Sequence, residues 1–212
     1  MACPLCELRK PKRYCPAKGE KICAVCCGEK REVTIDCPST CSYLIAARNY
    51  EREHRKTGDV EVPYPDISVT RDLVHERRPL LAYLGYGIVV AATVNRAVDD
   101  ADAIAALTAL VEKYRTLGSG LYYERPPDAP AALSVYEELS KFIASYKDDE
   151  EKHAGLGGVK DSEYLKLLVF LLRAAKFETN GRPRSRAFLD YLRSQMPNAA
   201  EAQAEPSRII VP

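Results

Sequence analysis

The sequence predicts a small metal-stapled domain followed by an all-α helical bundle. All eight cysteines lie within the first 41 of the 212 residues, and the rest of the chain contains none. A segment so short buries too little apolar surface to fold without disulfides or bound metal. Beyond it, apolar residues recur at helical spacing, and alternating runs of period two are few.

The cysteines favour metal over disulfides. The start MACPLCELRK lacks the apolar stretch of a secretory signal, so we expect a cytoplasmic protein, in which disulfides do not persist. Two CxxC knuckles, Cys3/Cys6 and Cys23/Cys26, are separated by 16 residues. At this distance two knuckles supply one tetrahedral site of four sulfurs, and zinc binds such sites without a geometric preference from its d electrons.

The remaining cysteines predict a second metal site. Cys37 and Cys41 stand at positions i and i+4 of CPSTC, with Pro38 in the first turn of a helix, so both sulfurs would lie on one face of the helix start. Cys15 falls between the two knuckles in the sequence. The two sites would therefore be interleaved, each closing the loop of the other.

We predict two structural zinc ions per chain. Either of the adjacent residues Cys26 and Cys27 could serve either ion, and an iron–sulfur cluster or redox chemistry at Cys23 and Cys26 are alternatives to zinc. The predicted ligands are Cys3, Cys6, Cys15, Cys23, Cys26, Cys27, Cys37 and Cys41.

The segment resembles the double-zinc cross-brace treble-clef modules of the HIT, B-box and MYND type. The resemblance rests on CPLC, Tyr14-Cys15-Pro16, CAVCC and CPSTC and covers about a fifth of the chain. It implies a treble-clef-like fold with a hairpin between the knuckles, a helix carrying the last ligands, and binding of other proteins or sometimes nucleic acid. HIT fingers have a second cysteine soon after the position of Cys15 and a histidine near their end, whereas here the first histidine is His54.

Charge does not identify a partner for this segment. Residues 1–59 carry 12 Lys and Arg against 8 Asp and Glu, but eight thiolates and two zinc ions bring the total to about zero. Arg9, Lys10, Lys12 and Arg13 are candidate contacts to an anion or a partner. They could instead offset the charge of the thiolates.

Prolines and a glycine in TGDVEVPYPD mark a domain boundary. We predict a Cys-rich double zinc-binding module with an exit helix at 1–56, a linker at 57–68, an all-α helical domain at 69–196 and a disordered tail at 197–212. The exit helix covers Ser42–Lys56. The tail is polar apart from its apolar tip, RIIVP.

Apolar stripes and capping residues predict five or six helices in the second domain. A helix or helix pair covers 69–97, with Pro79 either kinking it or starting the second piece. Further helices cover 102–117, 131–147, 163–177 and 184–196, with Asp99 or Asp100 and then Ser162 as N-caps. We interpret the basic group at the start of the last helix as solvated surface; it consists of Arg182, Arg184 and Arg186.

No catalytic set accompanies the cysteines, since the 3 histidines are scattered along the chain. We therefore expect a non-enzymatic adaptor that binds a protein partner. A nucleic-acid-binding regulator using the basic residues is the alternative, and an enzyme with a site in the helical domain is less favoured. The longest apolar run, Leu80–Val94, has 15 residues against about 20 for a spanning helix, so we expect no membrane contact. The oligomeric state is open.

Overall fold

The computed structural model describes residues 2–55, 62–120, 122–153 and 158–196, without the side chain of His153. The predicted tail and part of the predicted linker lie outside these ranges. Within them the chain forms one two-stranded sheet and eight helices. The elements are β1 Arg13–Cys15, β2 Glu20–Ile22, α1 Ala24–Lys30, α2 Ser42–Glu53, α3 Arg71–Glu76, α4 Arg78–Val94, α5 Asp100–Gly118, α6 Pro130–His153, α7 Asp161–Glu178 and α8 Ala187–Ser194.

The N-terminal module is built on an antiparallel hairpin that joins the two cysteine knuckles. The register of β1 and β2 places Arg13 opposite Ile22. The turn between the strands contains Gly19 at φ +70°, a left-handed conformation that glycine adopts without a Cβ clash. Because α1 begins directly after Cys23, the hairpin carries the chain from one knuckle to the other.

The predicted helix start within CPSTC is wrong. Cys41 N donates to the carbonyl oxygen of Pro38 at 2.9 Å, which closes a turn, and Cys41 is the N-cap of α2. The helix therefore begins at Ser42, and Cys37 lies before it. The exit helix ends at Glu53, three residues before the predicted end at Lys56.

Helices α3–α8 form the second part of the described chain, and their first boundaries follow from local chemistry. Pro79 starts a helix rather than kinking one: α3 ends at Glu76 and α4 begins at Arg78. In this first turn the missing N–H of proline costs no helical hydrogen bond. Asp99 is the N-cap of α5, and its carboxylate accepts from the N–H of Asp102 at 3.2 Å.

The start of α7 differs from the prediction. Ser162 lies in the first turn, and the N-cap is Lys160. The N–H of Lys160 donates to the carboxylate of Glu163 at 3.0 Å, so an acidic side chain three residues further on stabilises the helix start.

The last helix is shorter than predicted because α5 supplies its cap. Ser185 is fully buried, and its hydroxyl donates to the carboxylate of Asp100 at 2.7 Å. The same carboxylate accepts from the backbone N–H groups of Phe188 at 3.2 Å and Leu189 at 3.3 Å. These are among the N–H groups that a helix cannot satisfy by itself. Residues 184–186 are thereby held outside α8.

The core of the bundle lies around α5, which packs against α6 and α7, while α4 packs against α6 and α8. Leu84, Leu107, Leu139 and Leu168 are fully buried in it. The apolar run Leu80–Val94 forms most of α4, and eight of its residues are buried, whereas Val94 at its end is exposed. Among the described helices, none is both long and apolar enough to cross a membrane.

The described end of the predicted linker packs on the bundle. The guanidinium of Arg173 in α7 donates to the carbonyl oxygens of Pro63 at 3.0 Å, Tyr64 at 2.6 Å and Ile67 at 2.9 Å. Tyr64 in turn donates its hydroxyl to Glu112 at 2.5 Å. One side chain thus satisfies three backbone acceptors of a segment outside helices and strands. The division into domains stays a prediction.

Candidate metal centre

The first cysteine knuckle is a tight turn held by backbone hydrogen bonds. The carbonyl oxygen of Cys3 accepts from the N–H groups of Cys6 at 3.3 Å and Glu7 at 2.7 Å, and the N–H of Cys3 donates to the carbonyl of Arg9 at 2.8 Å. Glu7 adopts φ +55°, which is uncommon for a residue with a Cβ. The chain therefore turns sharply directly after the second cysteine.

The second knuckle occupies the start of α1. Cys23 is the N-cap, and its sulfur accepts from the N–H of Cys26 at 3.3 Å. The N–H of Cys23 donates across the module to the sulfur of Cys3 at 3.2 Å. N–H donors stabilise negative charge on an acceptor, and one sulfur of each knuckle accepts such a bond.

The four knuckle sulfurs form a cluster that fits one metal ion. The Sγ atoms of Cys3, Cys6, Cys23 and Cys26 all lie within 4.8 Å of one another, and those of Cys6 and Cys23 are 3.9 Å apart. A tetrahedral zinc site with bonds of about 2.3 Å has sulfur–sulfur edges of about 3.8 Å. Three of the cysteines are buried and Cys6 is partly buried. The donor set therefore has the number, spacing and burial of a metal site.

The thiols of this cluster differ in their affinity for protons. Hydrogen bonds from the N–H groups of Leu8 and Arg9 lower the pKa of Cys6 to about 6. Burial, together with the neighbouring thiols of Cys23 and Cys6, raises the pKa of Cys26 to about 12. A metal ion needs deprotonated sulfurs, so its binding displaces the proton that Cys26 otherwise holds at neutral pH.

The other four cysteines line a second, smaller cavity. Cys15, Cys27, Cys37 and Cys41 surround a space of about 10 Å³, room for about one water-sized atom. Burial raises the pKa of Cys37, and the nearby thiols of Cys41 and Cys15 add to the rise. Among the residues that the structure describes, the knuckle cysteines are the only group of possible metal ligands whose ligand atoms all lie within 4.8 Å of one another. The adjacent residues Cys26 and Cys27 belong to different groups.

Arg9 lies beside the sulfurs rather than in a separate basic patch. Desolvation alone would lower the pKa of Arg9, but the neighbouring sulfurs of Cys6 and Cys23 outweigh it and raise the pKa. This position agrees with the interpretation that Arg9 offsets thiolate charge.

The other three predicted anion contacts point to no common site. The guanidinium of Arg13 lies over the ring of Tyr43, 4.9 Å from its centroid, a cation–π contact within the module. Lys10 and Lys12 are exposed. The structure therefore leaves two lysines, rather than four basic residues, free of such contacts among the described residues.

A buried glutamate joins the module to the bundle. Glu32 is 1% exposed and adopts φ +53°. Its carboxylate accepts from Arg48 Nη2 at 2.5 Å and Asn180 Nδ2 at 2.7 Å, and its carbonyl accepts from Arg184 N at 2.9 Å. A buried carboxylate is costly unless it is both paired and hydrogen-bonded, and Glu32 meets both conditions.

Arg48 extends this contact to the last helix. Its Nη1 donates to Asp190 of α8 at 2.5 Å. Asp190 also accepts from the hydroxyl of Ser39 at 2.8 Å and from Arg193 at 2.9 Å. One guanidinium therefore bridges a carboxylate of the module and a carboxylate of the bundle.

Two of the three basic residues before α8 are not the solvated surface that we interpreted from the sequence, whereas the third, Arg184, is exposed as interpreted. Arg182 Nη1 donates to the carbonyl oxygens of Gly28 at 3.0 Å and Arg31 at 2.7 Å, close to the C-terminal end of α1, where a cation is favourable. Arg186 pairs with Asp36 at 2.5 Å. These side chains bind the module to the bundle.

Sequence analysis did not single out Glu32, Arg48 or Asp190. Arg48 is 16 residues from Glu32 and 142 from Asp190, far beyond the few residues over which capping and helical spacing operate. No local pattern distinguishes these charged residues from the others of the chain, so the sequence could not predict that they are shielded from solvent.

Comparison of the chain with family models, with curated proteins and with solved structures gave no match. The fold and the site define a helical protein whose N-terminal module carries a four-cysteine cluster able to hold a metal ion.

Proposed function

We propose that the chain is a non-enzymatic adaptor whose N-terminal module holds two structural zinc ions and binds another protein. The observation that carries the proposal is the cluster of Cys3, Cys6, Cys23 and Cys26, whose sulfurs lie within 4.8 Å of one another. Four thiolates fill the coordination shell of zinc and leave no position for water or substrate. The metal then stabilises the fold of the module instead of activating a reactant.

The second zinc ion belongs in the cavity lined by Cys15, Cys27, Cys37 and Cys41. Two features support the assignment: all four remaining cysteines line this cavity, and the space has the size of a single small ion. Since Cys15 ends β1 and Cys27 lies in α1, the two sites interleave along the chain. This is the arrangement of the treble-clef-like modules that the sequence resembles.

Native mass spectrometry of the full chain, purified without chelator, tests the metal assignment. We expect two zinc ions per chain for the wild type and one for Cys37→Ser. One ion in the wild type, unchanged in Cys37→Ser, would remove the second site. An absorbing iron chromophore would replace zinc as the metal.

Exposed apolar side chains close to the knuckles support a protein partner. Leu8 is 83% exposed, Tyr14 55% and Val25 39%. Leu8 follows the first knuckle and Val25 lies between the two cysteines of the second. Large exposed apolar side chains on a small rigid module are typical of protein contact surfaces, and the metallated module has a formal charge of about zero.

Capture of partners by the full chain tests this part of the proposal. We expect Leu8→Asp to lose a protein that the wild type retains from an extract of the source cells. Val94→Asp is the matched control, because Val94 at the end of α4 is also 83% exposed. Equal retention by both variants would exclude the surface around Leu8.

A binding assay with the same protein preparation tests whether the partner is a nucleic acid. Binding to generic DNA or RNA at about 50 mM salt that weakens as salt is raised, and that is lost in the Lys10→Ala/Lys12→Ala variant, would overturn the preference for protein. We expect no such binding, since Arg9 and Arg13 already contact the sulfurs and Tyr43.

A further inference from the structure

A groove on the helical bundle is independent of the metal centre. It lies between α3, the first half of α4, the middle of α7 and the end of α8, and its volume is about 590 Å³. Small-molecule sites have volumes of about 300–1,000 Å³. The groove therefore has the size of a ligand site, and the adaptor function does not use it.

The floor of the groove is apolar. Among its lining residues are Val74, Leu81, Leu171, Leu192 and Met196. Leu171 and Leu192 are buried, and the other three are partly buried. An apolar chain placed on this floor would therefore have its lower side removed from contact with water.

Gly85 allows close packing at the floor of the groove. A Cβ at this position would lie 3.2 Å from Met196 Cε and 3.5 Å from Leu192 Cδ2. The first distance is tighter than ordinary van der Waals contact, so a side chain here would move Met196. Glycine lets these side chains lie directly against the backbone of α4.

Apart from the phenol of Tyr191, the titratable side chains that line the groove are all basic. They are Arg71, His75, Arg78 and Arg173, and no Asp or Glu of the described residues lines it. Arg173 is held by backbone carbonyls, which leave its charge unneutralised. We call Arg71 and Arg78 the cationic rim; both are exposed, and neither makes an ion pair with a residue in the described part of the chain.

We propose that this groove binds a free long-chain carboxylate, with the alkyl chain on the apolar floor and the carboxylate at the cationic rim. A guanidinium is charged at every physiological pH and matches the geometry of a carboxylate. Because the lining is basic, it favours a ligand with an anionic head group. Because it lacks acidic residues, it disfavours a ligand with a cationic head group.

The lining also favours an alkyl chain over a peptide segment. A peptide brings backbone N–H and C=O groups, which are costly to bury without partners. The uncharged polar side chains of the lining are Thr70 and Gln195, with the hydroxyl of Tyr191 as the third such group. An alkyl chain needs none of them.

Calorimetric titration of the full chain with dodecanoate, below its micellar concentration, tests the proposal. We expect one dodecanoate per chain and affinity that rises about fourfold per methylene from octanoate to dodecanoate. Dodecyltrimethylammonium, which has the same chain and the opposite charge, should bind at least about tenfold more weakly. Equal affinity of the two head groups would overturn the role of the cationic rim.

Variants locate the binding. We expect Arg71→Gln/Arg78→Gln to weaken dodecanoate binding at least about tenfold, and Ala82→Phe to fill the groove and abolish it. Arg125→Gln and Ala105→Phe are the matched controls, because both positions are exposed and lie outside the groove. Loss of binding in the controls, or retention in both groove variants with normal circular dichroism, would overturn the assignment.

Two further experiments distinguish a free carboxylate from other possible ligands of the groove. Binding to phosphatidylglycerol vesicles that disappears in Arg71→Gln/Arg78→Gln would assign the rim to a membrane surface. Dodecanoate binding that becomes at least about tenfold tighter after removal of residues 197–212 would assign the groove to that segment of the chain. Either result overturns the proposal, whereas unchanged affinity without residues 197–212 and no vesicle binding support it.

Discussion

Arg48 donates to Glu32 at 2.5 Å within the cysteine module, and the same guanidinium also donates to Asp190 of the helical bundle. The side chain of Glu32 is 2% exposed and that of Arg48 is 14% exposed. The pair is therefore shielded from solvent and is not comparable with the surface ion pairs of the same protein. Its energetic role can be tested against one of them.

We expect Arg48→Ala to lower the free energy of unfolding by about 3–5 kcal/mol, because it leaves the buried carboxylate of Glu32 without its cation. Arg52→Ala, on the same helix, is the control: Arg52 is 60% exposed and pairs with Glu178 at 3.3 Å, so its loss should cost less than about 1 kcal/mol. Urea denaturation of both variants measures the difference. Similar losses would show that the buried pair contributes no more than a surface pair.

The carboxylate of Glu124 makes stability depend on acid pH. Hydrogen bonds from Lys113, Tyr122 and Tyr136 lower its pKa from 4.5 to about 2. A depressed pKa stabilises the folded state above the unfolded value, and this contribution is lost as pH falls through the folded value. We expect the stability of the wild type to fall more steeply than that of Glu124→Gln between about pH 4.5 and pH 2.

Chemical denaturation at a series of pH values measures that slope. Glu137→Gln is the control, since Glu137 is exposed and makes no ion pair with a described residue. Identical slopes for the wild type and Glu124→Gln would contradict the assigned role of Glu124.

Removal of one knuckle ligand should unfold the module and spare the bundle. We expect Cys6→Ser to lose a metal ion and the protection of amides in α1, while α5 and α7 keep theirs, because metal binding and folding are coupled only in the module. Hydrogen exchange read by mass spectrometry resolves the two parts. Simultaneous loss of protection in α5 would contradict the predicted boundary near residues 57–68.

The cap that Asp100 supplies to α8 should also be measurable. We expect Asp100→Ala to cost about 2–4 kcal/mol, since it leaves the buried hydroxyl of Ser185 and the N–H groups of Phe188 and Leu189 without their acceptor. Asp99→Ala, which removes the partly buried N-cap of α5, should cost only about 1 kcal/mol. If the two variants are equally stable, the buried carboxylate of Asp100 contributes no more to the free energy of unfolding than the cap at Asp99.

Local chemistry accounts for what the sequence predicted well. Apolar residues three and four positions apart predicted α5, α6 and α7, and Pro79 and Asp99 mark helix starts through effects within one turn. The grouping of Cys3, Cys6, Cys23 and Cys26 also followed from spacing, because a CxxC knuckle is a local unit. α6 runs six residues past its predicted end at 147, to His153, because charged residues continue the helix without extending the apolar stripe.

Two of the errors share a physical cause, which is contact between distant residues. α8 begins at Ala187 because Asp100, 85 residues away, accepts the hydroxyl hydrogen of Ser185. Arg182 lies against α1, 154 residues from Gly28. Neither contact changes the local sequence composition. From the sequence alone, the basic residues before α8 could therefore not be distinguished from solvated surface residues.

The contacts between Glu32 and Asn180 and between Gly28 and Arg182 span 148 and 154 residues of chain. At a synthesis rate of about 5–20 residues per second, the docking surface is completed about 10–30 s after the last cysteine has been added. For that interval the module exists with all its ligands but without the bundle that later covers Glu32. On the proposed function, the nascent module can therefore take up its metal before the bundle is complete.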